Sequence, residues 1–308
     1  MQSTIDESLD WSDHYVQYGF VVRRGLLDRA YCDEALAEIR RVVDDDRPLT
    51  EWTGEKPGVH YKPFYDDPGR TGLTQKNEVL GRIYDQPGMR AAIDEMFGGP
   101  GVWDGLRNYY MFIKPYEPDA KPELDTVGHI DFGGKPVPIL YRGFKFMASL
   151  VETERFSGNF SVFPASHKSA LEVLVDDPDV TTPGEFPQMK RTNEPFEFVA
   201  EPGDVMFFHH LIFHAGNPSH SANRKPRVSL AGEAYRARWL TEIDPSEPDL
   251  SPWQRSLAVA GAYRVQRDEA RREREDRDKY IKEIEQEQGT PVDEKWKRYS
   301  DWPDPPIV

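Results

Sequence analysis

Cysteine is almost absent from this sequence, and its scarcity excludes two common ways of stabilising a fold. Cys32 is the single cysteine among 308 residues, so the chain forms no internal disulfide and has no cysteine cluster for structural zinc. A lone thiol fits a reducing compartment. A chain of this length buries enough apolar surface to fold without either device.

Long apolar runs and an excess of positive charge are also missing. No stretch approaches the roughly 18 apolar residues that span a bilayer, and the start "MQSTIDESLDWSDHYVQYGF" lacks the basic and apolar regions of a secretory signal. These absences predict a cytoplasmic protein without membrane association. The formal net charge of -15 and the pI near 5.0 disfavour binding to nucleic acid phosphates. We therefore expect a small-molecule substrate and no nucleic acid partner.

Short strand-like runs dominate the chain from about residue 101 to 236. Runs such as "RNYYMFIKP" and "PRVSLAGEAYR" are separated there by Gly, Pro and Asn, a texture typical of a sheet sandwich or barrel. Two helices are predicted before this region. One is capped by Asp28 and has apolar residues at three- and four-residue spacing, and the other runs from Pro87 to Gly98.

The remaining segments set the predicted domain limits. Residues 49–80 are rich in Gly, Pro, Lys and Asp, which predicts a long loop. We expect one domain over residues 1–250 with its barrel core at about 101–236. Residues 251–308 form a charged helical C-terminal extension, interpreted as a solvated helix or as an arm through which the chain forms a homo-oligomer.

His129 and Asp131, in "TVGHIDFGGK", are the first candidate ligand pair. Residues i and i+2 of a strand point to the same face, so both side chains can reach one ion. The tripeptide H-x-D alone is a weak signal and needs a third ligand.

His214 is the best candidate for that third ligand, because it ends the strand-like run "GDVMFFHHLIFHAG". His210 would share its face but lie roughly 13 Å away along one strand, too far for one ion to bind both. Two histidines and one carboxylate with open positions are typical of non-haem Fe(II) oxygenases. They also describe catalytic zinc, so the residues alone leave both metals open.

Arg227 and Ser229 follow His214 in "KPRVSL" and would share one strand face. A guanidinium beside a hydroxyl is a good cradle for a carboxylate. A dicarboxylate cosubstrate would then chelate the metal at one end and be held by these two residues at the other. The alternative is that Arg227 is an ordinary surface residue of a strand.

The chain resembles the phytanoyl-CoA dioxygenase family of Fe(II)- and 2-oxoglutarate-dependent oxygenases over about residues 15–236. The similarity rests on "YGFVVRRGLLDRAYCDEALAEI", "HID", "SGNFSVFPASHKSAL" and "PGDVMFFHHLIFHAGNPS", which occur in the family's order. It implies a mainly β fold with flanking helices, namely a double-stranded β-helix or cupin-like jelly roll. It also implies binding of iron by His129, Asp131 and His214, and of 2-oxoglutarate by Arg227, with O2 as the second cosubstrate.

Two departures from the family pattern bear on the pocket. Gly216 stands where members more often have serine, which would move a contact with the cosubstrate to Ser229. Met147 stands where some members have an aromatic residue. Asp131 itself disfavours halogenation, because related halogenases have a small residue there.

Together these features predict a dioxygenase that oxidises, most simply by hydroxylation, a small-molecule metabolite of specialised metabolism and releases succinate and CO2. Lys145 and nearby positive residues favour a polar or carboxylated substrate. The alternatives are a non-catalytic barrel protein and a zinc-dependent one.

Overall fold

The computed structural model describes twelve segments of the chain. They are residues 8–44, 47–51, 61–66, 76–100, 102–103, 107–117, 119–126, 128–130, 142–176, 194–220, 225–235 and 246–258. The helices in these segments are α1 (Trp11–Tyr18), α2 (Arg29–Val43), α3 (Glu78–Gly81), α4 (Pro87–Phe97), α5 (Ser166–Asp176) and α6 (Pro252–Ala258), with 3-10 turns at Leu49–Glu51 and Arg82–Asp85.

The strands form two antiparallel sheets. They are β1 (Phe20–Arg23), β2 (Tyr61–Asp66), β3 (Arg107–Lys114), β4 (Arg142–Ser149), β5 (Phe160–Val162), β6 (Phe196–Glu197), β7 (Val205–His209), β8 (His214–Gly216) and β9 (Arg227–Tyr235). The larger sheet has the order β1-β7-β4-β9-β3-β2, and the smaller sheet has the order β6-β5-β8.

Helices α2 and α4 confirm the two predicted helices. Asp28 caps α2 by accepting a hydrogen bond from the Ala30 N–H at 2.9 Å. Helix α4 begins at Pro87 and is followed by Gly98, whose φ of 89° is a left-handed conformation that glycine adopts without steric cost. Capping residues at both ends thus fix the helices that the apolar spacing predicts.

The larger sheet is buried on both faces and separates two apolar cores. One face packs against the helices, where Phe146, Phe207 and Val228 are each at most 1% exposed. The other face packs against the smaller sheet, where the rings of Phe208 and Phe160 have centroids 4.9 Å apart. This architecture confirms the mainly β, jelly-roll fold with flanking helices. The described strands form two facing sheets and do not close into one continuous barrel.

The predicted loop at residues 49–80 is wrong for part of its length. Tyr61–Asp66 is strand β2, which pairs with β3 in a register that sets Pro63 opposite Tyr110. Strand β2 is at the edge of the sheet, the position where proline is tolerated because no further strand needs its missing N–H. The local composition suggested a loop, but tertiary pairing determines the structure.

Helix α6 lies beyond the predicted end of the domain and is nevertheless buried. Trp253 and Leu257 are fully buried, and the Trp253 Nε1–H donates to the Gly143 carbonyl at 2.9 Å. Residues 259–308 lie outside the described residues, so the predicted C-terminal extension and its role in self-association stay predictions. Among the helices of the described segments, none combines the length and the apolar character of a membrane span.

Three histidines form a cluster between the larger sheet and the helices. The ring centroids of His167 and His209 are 5.1 Å apart, and those of His209 and His210 are 4.7 Å apart and stacked. Each residue is at most 2% exposed. Burial lowers the pKa of His167 to about 3, and burial with the neighbouring His210 and His167 lowers the pKa of His209. Burial therefore favours the neutral imidazoles of His167 and His209.

We expect replacement of Trp253 by alanine to lower the free energy of unfolding by about 3–5 kcal/mol, the usual cost of removing a buried tryptophan. Urea unfolding measures the change, and Glu247→Ala, at an exposed position before α6, is the control. Equal stability of the two variants would show that α6 does not belong to the folded domain.

We also expect the domain to lose stability as the pH falls below about 6.5. A histidine whose folded pKa is depressed binds its proton more readily in the unfolded chain, so each contributes up to about 1.4 kcal/mol of loss per pH unit. His167→Leu should flatten the profile measured by urea unfolding between pH 7.5 and 4.5. Parallel profiles for the wild type and the variant would contradict this assignment.

Candidate metal and cosubstrate site

A backbone bridge places His129 beside His214. The His129 N–H donates to the His214 carbonyl and the His214 N–H donates to the His129 carbonyl, both at 2.9 Å. This reciprocal pair is the pattern of two directly opposed residues in antiparallel strands. It fixes the relative position of two residues that are far apart in the sequence.

The two imidazoles are close enough to serve one ion. Their ring centroids are 4.5 Å apart with an interplanar angle of 55°, and metal–nitrogen bonds are about 2.0–2.1 Å long. The Nδ1–H of His214 donates to the Ile212 carbonyl at 3.0 Å. Because a carbonyl only accepts, Nε2 is the unprotonated nitrogen of the neutral ring, which is the form that binds metals.

A turn carries the chain from one sheet to the other just before His214. Strand β7 ends at His209, and the Ile212 N–H donates to the His209 carbonyl at 3.0 Å. The sequence predicted one continuous strand through His210 to His214, and that prediction is wrong. His210 instead packs on His209, and its Nδ1 is 3.3 Å from the Gly143 carbonyl. The turn places His214 in β8, where it meets both sheets.

Aromatic rings border His214 on the side of the sheets. Its ring centroid is 5.3 Å from that of Phe160 and 5.6 Å from that of Phe208. His214 is 5% exposed, whereas His129 is exposed. The pair therefore lies between an apolar wall and the solvent side of the fold.

Gly128 is a site residue that the sequence analysis missed. Its φ is 59°, and a Cβ atom there would lie 2.7 Å from the Phe163 ring and 3.1 Å from the His214 carbonyl oxygen. Only glycine fits both the left-handed backbone and this contact. The glycine directly before the H-x-D tripeptide was the available signal.

Asp131, the predicted carboxylate ligand, lies outside the described residues. The described residues contain no group of three histidine, cysteine, aspartate or glutamate side chains that could hold a metal. The ligand set of His129, Asp131 and His214 therefore stays a proposal.

Arg227 is a buried cation without a counter-ion among the described residues. It is 7% exposed, and its Nε and Nη1 atoms are buried without hydrogen-bond partners. Burial lowers the pKa of Arg227 to about 10, so the guanidinium is still charged at neutral pH. An unsatisfied buried polar group costs about 1–3 kcal/mol, and more when it is charged. Such a group fits an anionic ligand.

Lys225 is a weaker candidate for the same role. Its ammonium lies 3.9 Å from a carboxylate oxygen of Glu152, and both side chains are about half exposed. Solvent and Glu152 already stabilise the Lys225 charge, so Arg227 is the group that fits a buried carboxylate.

The face of the larger sheet that packs against the smaller sheet is called the inner face here. From Arg227 it continues in rows of residues that are paired across the strands. Ser229 is opposite Phe112 on one side and Ser149 on the other, and Ser229 and Ser149 are each at most 2% exposed. The next row contains Met206, Met147, Ala231 and Tyr110. Met147 thus lies on the inner face, one row beyond Ser229, between Arg227 and the level of the histidines.

A family model described as phytanoyl-CoA dioxygenase matches residues 15–227. The chain belongs to this family, and it is an Fe(II)- and 2-oxoglutarate-dependent oxygenase that uses O2. The choice between iron and zinc that the residues alone left open is thereby decided for iron. No curated protein matches the chain significantly.

Several solved structures resemble the chain at low identity. The epimerase SnoN, in complex with Fe3+, alpha ketoglutarate and nogalamycin RO, is 19% identical with a TM-score of 0.49, covering 78% of this chain and 91% of its own. AviO1 from Streptomyces viridochromogenes Tue57 is 17% identical with a TM-score of 0.48, covering 81% and 100%. HygX from Streptomyces hygroscopicus, with nickel and 2-oxoglutarate bound, is 16% identical with a TM-score of 0.46, covering 78% and 92%. These values do not bear on substrate or reaction.

We expect Gly128→Ala to weaken Fe(II) binding by about tenfold or more, because strain of about 1–3 kcal/mol is introduced beside the histidine bridge. Anaerobic calorimetric titration with Fe(II) measures the affinity. Gly25→Ala is a matched control, since Gly25 has the same φ of 59° but nothing within 4 Å of an added Cβ. Equal affinities in the two variants would show that the bridge does not depend on this close contact.

Proposed function

We propose that the protein hydroxylates a small-molecule metabolite of specialised metabolism, with Fe(II) held by His129, Asp131 and His214. Arg227, assisted by Ser229, holds the distal carboxylate of 2-oxoglutarate, and succinate and CO2 are released. The observation that carries the proposal is the buried guanidinium of Arg227, of which two nitrogen atoms have no partner among the described residues. It lies on the face of the larger sheet that packs against the smaller sheet, where His214 is located.

The histidine pair fits the proposed ligand set. The backbone bridge sets the ring centroids of the two imidazoles 4.5 Å apart, and the hydrogen bond to the Ile212 carbonyl fixes the His214 tautomer. Two imidazoles and one carboxylate on one side of an iron leave positions open for a keto acid and O2. Bound there, iron would supply the activation of O2 for oxidation of a C–H bond.

The protein's own part is to orient the cosubstrate and exclude water. A carboxylate at Arg227 would satisfy nitrogen atoms that lack partners in the described structure, and an arginine binds a carboxylate through two parallel hydrogen bonds. Ser229 is on the same face, one row further along β9. Phe160 and Phe208 shield one side of His214, which strengthens electrostatic interactions by keeping water away.

The finer points of the proposal rest on the family. Hydroxylation is the simplest outcome of the chemistry that the family uses, and the link to specialised metabolism rests on the same resemblance. The cytoplasmic location is a prediction from the sequence.

Anaerobic addition of Fe(II) and 2-oxoglutarate tests the function directly. We expect a weak visible charge-transfer band in the wild type and its loss in His214→Ala. Under air, a panel of metabolites should then include compounds that raise succinate release and gain one oxygen atom by mass spectrometry. Absence of the band in the folded, iron-loaded wild type would refute the proposed function.

We expect Arg227→Met to have opposite effects on cosubstrate binding and on stability. The KM for 2-oxoglutarate should rise by about 100-fold, because charge-assisted hydrogen bonds contribute about 1.5–3 kcal/mol each. The free energy of unfolding without cosubstrate should rise by about 1–3 kcal/mol, because an unsatisfied buried cation is removed.

Lys225→Met is the control for this variant and should change neither quantity appreciably, since the Lys225 charge is half exposed. A fall in the stability of Arg227→Met together with an unchanged KM would show that Arg227 is a structural residue and not a ligand for the cosubstrate.

A further inference from the structure

A buried ion pair lies on the same inner face of the larger sheet as Arg227, at the opposite end of that face. The Lys145 ammonium of β4 is 3.0 Å from a carboxylate oxygen of Glu233 of β9, and the two side chains are 9% and 12% exposed. The two residues are directly opposite in the β4–β9 register. Asn108 of β3, opposite Glu233 and 2% exposed, extends the row. We call these three residues the polar row.

The polar row reaches the histidine site through Phe208. Lys145 is opposite Phe208 in the β4–β7 register, and the Phe208 ring centroid is 5.6 Å from that of His214. Because adjacent strands are about 4.8 Å apart, Lys145 is one strand and Glu233 two strands from Phe208, about 4.8 and 9.6 Å. The row therefore lies at the level of the histidines.

The polar row and Arg227 are at opposite ends of one strand. Glu233 is six residues beyond Arg227 on β9, roughly 20 Å along the strand. The distal carboxylate of the cosubstrate, which Arg227 is proposed to hold, therefore lies at the other end of β9 from Glu233. The polar row lies at the metal end of the inner face, which the substrate has to approach.

Packing does not account for the ion pair. The neighbouring positions of the inner face are apolar, as Phe208, Met147 and Ala231 show. A buried ion pair is seldom more stabilising than apolar side chains of the same volume, because desolvation offsets the attraction. Charged groups buried beside a reactive centre are instead candidates for a functional role.

The chemistry of the Lys145–Glu233 pair determines which ligand groups can bind to it. An ammonium has three donors and a carboxylate has several acceptor positions, and their charges cancel. A hydroxyl or an uncharged amino group matches both partners, whereas a carboxylate would be repelled by Glu233 and an ammonium group by Lys145. Of the polar or carboxylated substrate that Lys145 suggested in the sequence, the ion pair with Glu233 favours the polar one.

We propose that the polar row is the recognition subsite for a hydroxyl or uncharged amino group of the substrate, which is a polar molecule without charge at that position. This inference rests on the proposed function and adds a substrate class to it. Glu233 accepts from the substrate group, and Lys145 holds the Glu233 carboxylate in position and donates to the substrate oxygen.

Chemical rescue tests the subsite without knowledge of the native substrate. Lys145→Ala removes the ammonium that lies 3.0 Å from the Glu233 carboxylate, and ethylammonium is a probe that supplies an ammonium again. Glu233→Ala removes that carboxylate, and propionate is the corresponding probe. The readouts are the thermal unfolding midpoint and the visible band of the anaerobic complex with Fe(II) and 2-oxoglutarate.

We expect ethylammonium to bind Lys145→Ala at least about tenfold more tightly than the wild type, a difference of about 1.4 kcal/mol, and to shift the band. Propionate should do the same for Glu233→Ala, and neither probe should rescue the other variant. Lys225→Ala, which breaks the half-exposed pair with Glu152, is the control and should respond to neither probe. Either variant decides the question if the other does not fold.

Two results would overturn the subsite. Probes that fail to discriminate between the variants would show that the Lys145–Glu233 pair is closed to ligands. Rescue of stability without a shift of the visible band would show that the pair lies away from the metal. Absence of the band in the wild type is a separate result, since it refutes the proposed function itself.

Discussion

The pair of backbone hydrogen bonds between His129 and His214 is the constraint on which the site depends. An imidazole turns about only two side-chain bonds, so two rings can share an ion only when their Cα atoms are already close. The bridge provides this with bonds of 2.9 Å in each direction. Gly128 allows the close approach, and the Ile212 carbonyl sets the ring orientation. Each of these features is a property of the backbone, which explains how residues from distant segments can be held in a fixed geometry.

Strand β9 organises the rest of the inner face. Its alternate residues Arg227, Ser229, Ala231 and Glu233 lie on that face, while Val228, Leu230 and Ala234 lie in the core beneath the helices. A strand rises about 3.3 Å per residue, so these positions are spaced at regular intervals from the proposed cosubstrate end to the polar row. The three residues beneath the helices are at most 1% exposed. The burial of their apolar side chains offsets the cost of placing charges on the opposite face.

Strand alternation allowed part of this site to be predicted and explains why the rest was missed. It identified Arg227 and Ser229 as residues of one face, and the structure places them so. Alternation also identified His129 as a candidate ligand, whereas His214 was chosen because it ends a strand-like run. The two residues lie side by side, and their ligand roles are a proposal. Alternation does not say which strand lies next to which, so the pairing of Lys145 with Glu233 and the strand at Tyr61–Asp66 were not foreseen. The sheet-to-sheet turn before His214 was missed because its sequence, "HLIF", has the apolar character of a strand.

The two buried cations of the inner face differ in their compensation, and this difference assigns them different ligands. Lys145 has a carboxylate at 3.0 Å, so the pair is neutral without any ligand. Arg227 has no ion pair among the described residues, and two of its nitrogen atoms lack partners, so the fold carries an electrostatic cost that an anion relieves. A cosubstrate that must bind in every catalytic cycle is an anion suited to such a site, because relief of this cost contributes to its affinity. A substrate that meets a neutral pair gains no such attraction, and its binding depends on matching hydrogen bonds, which is the more selective form of recognition.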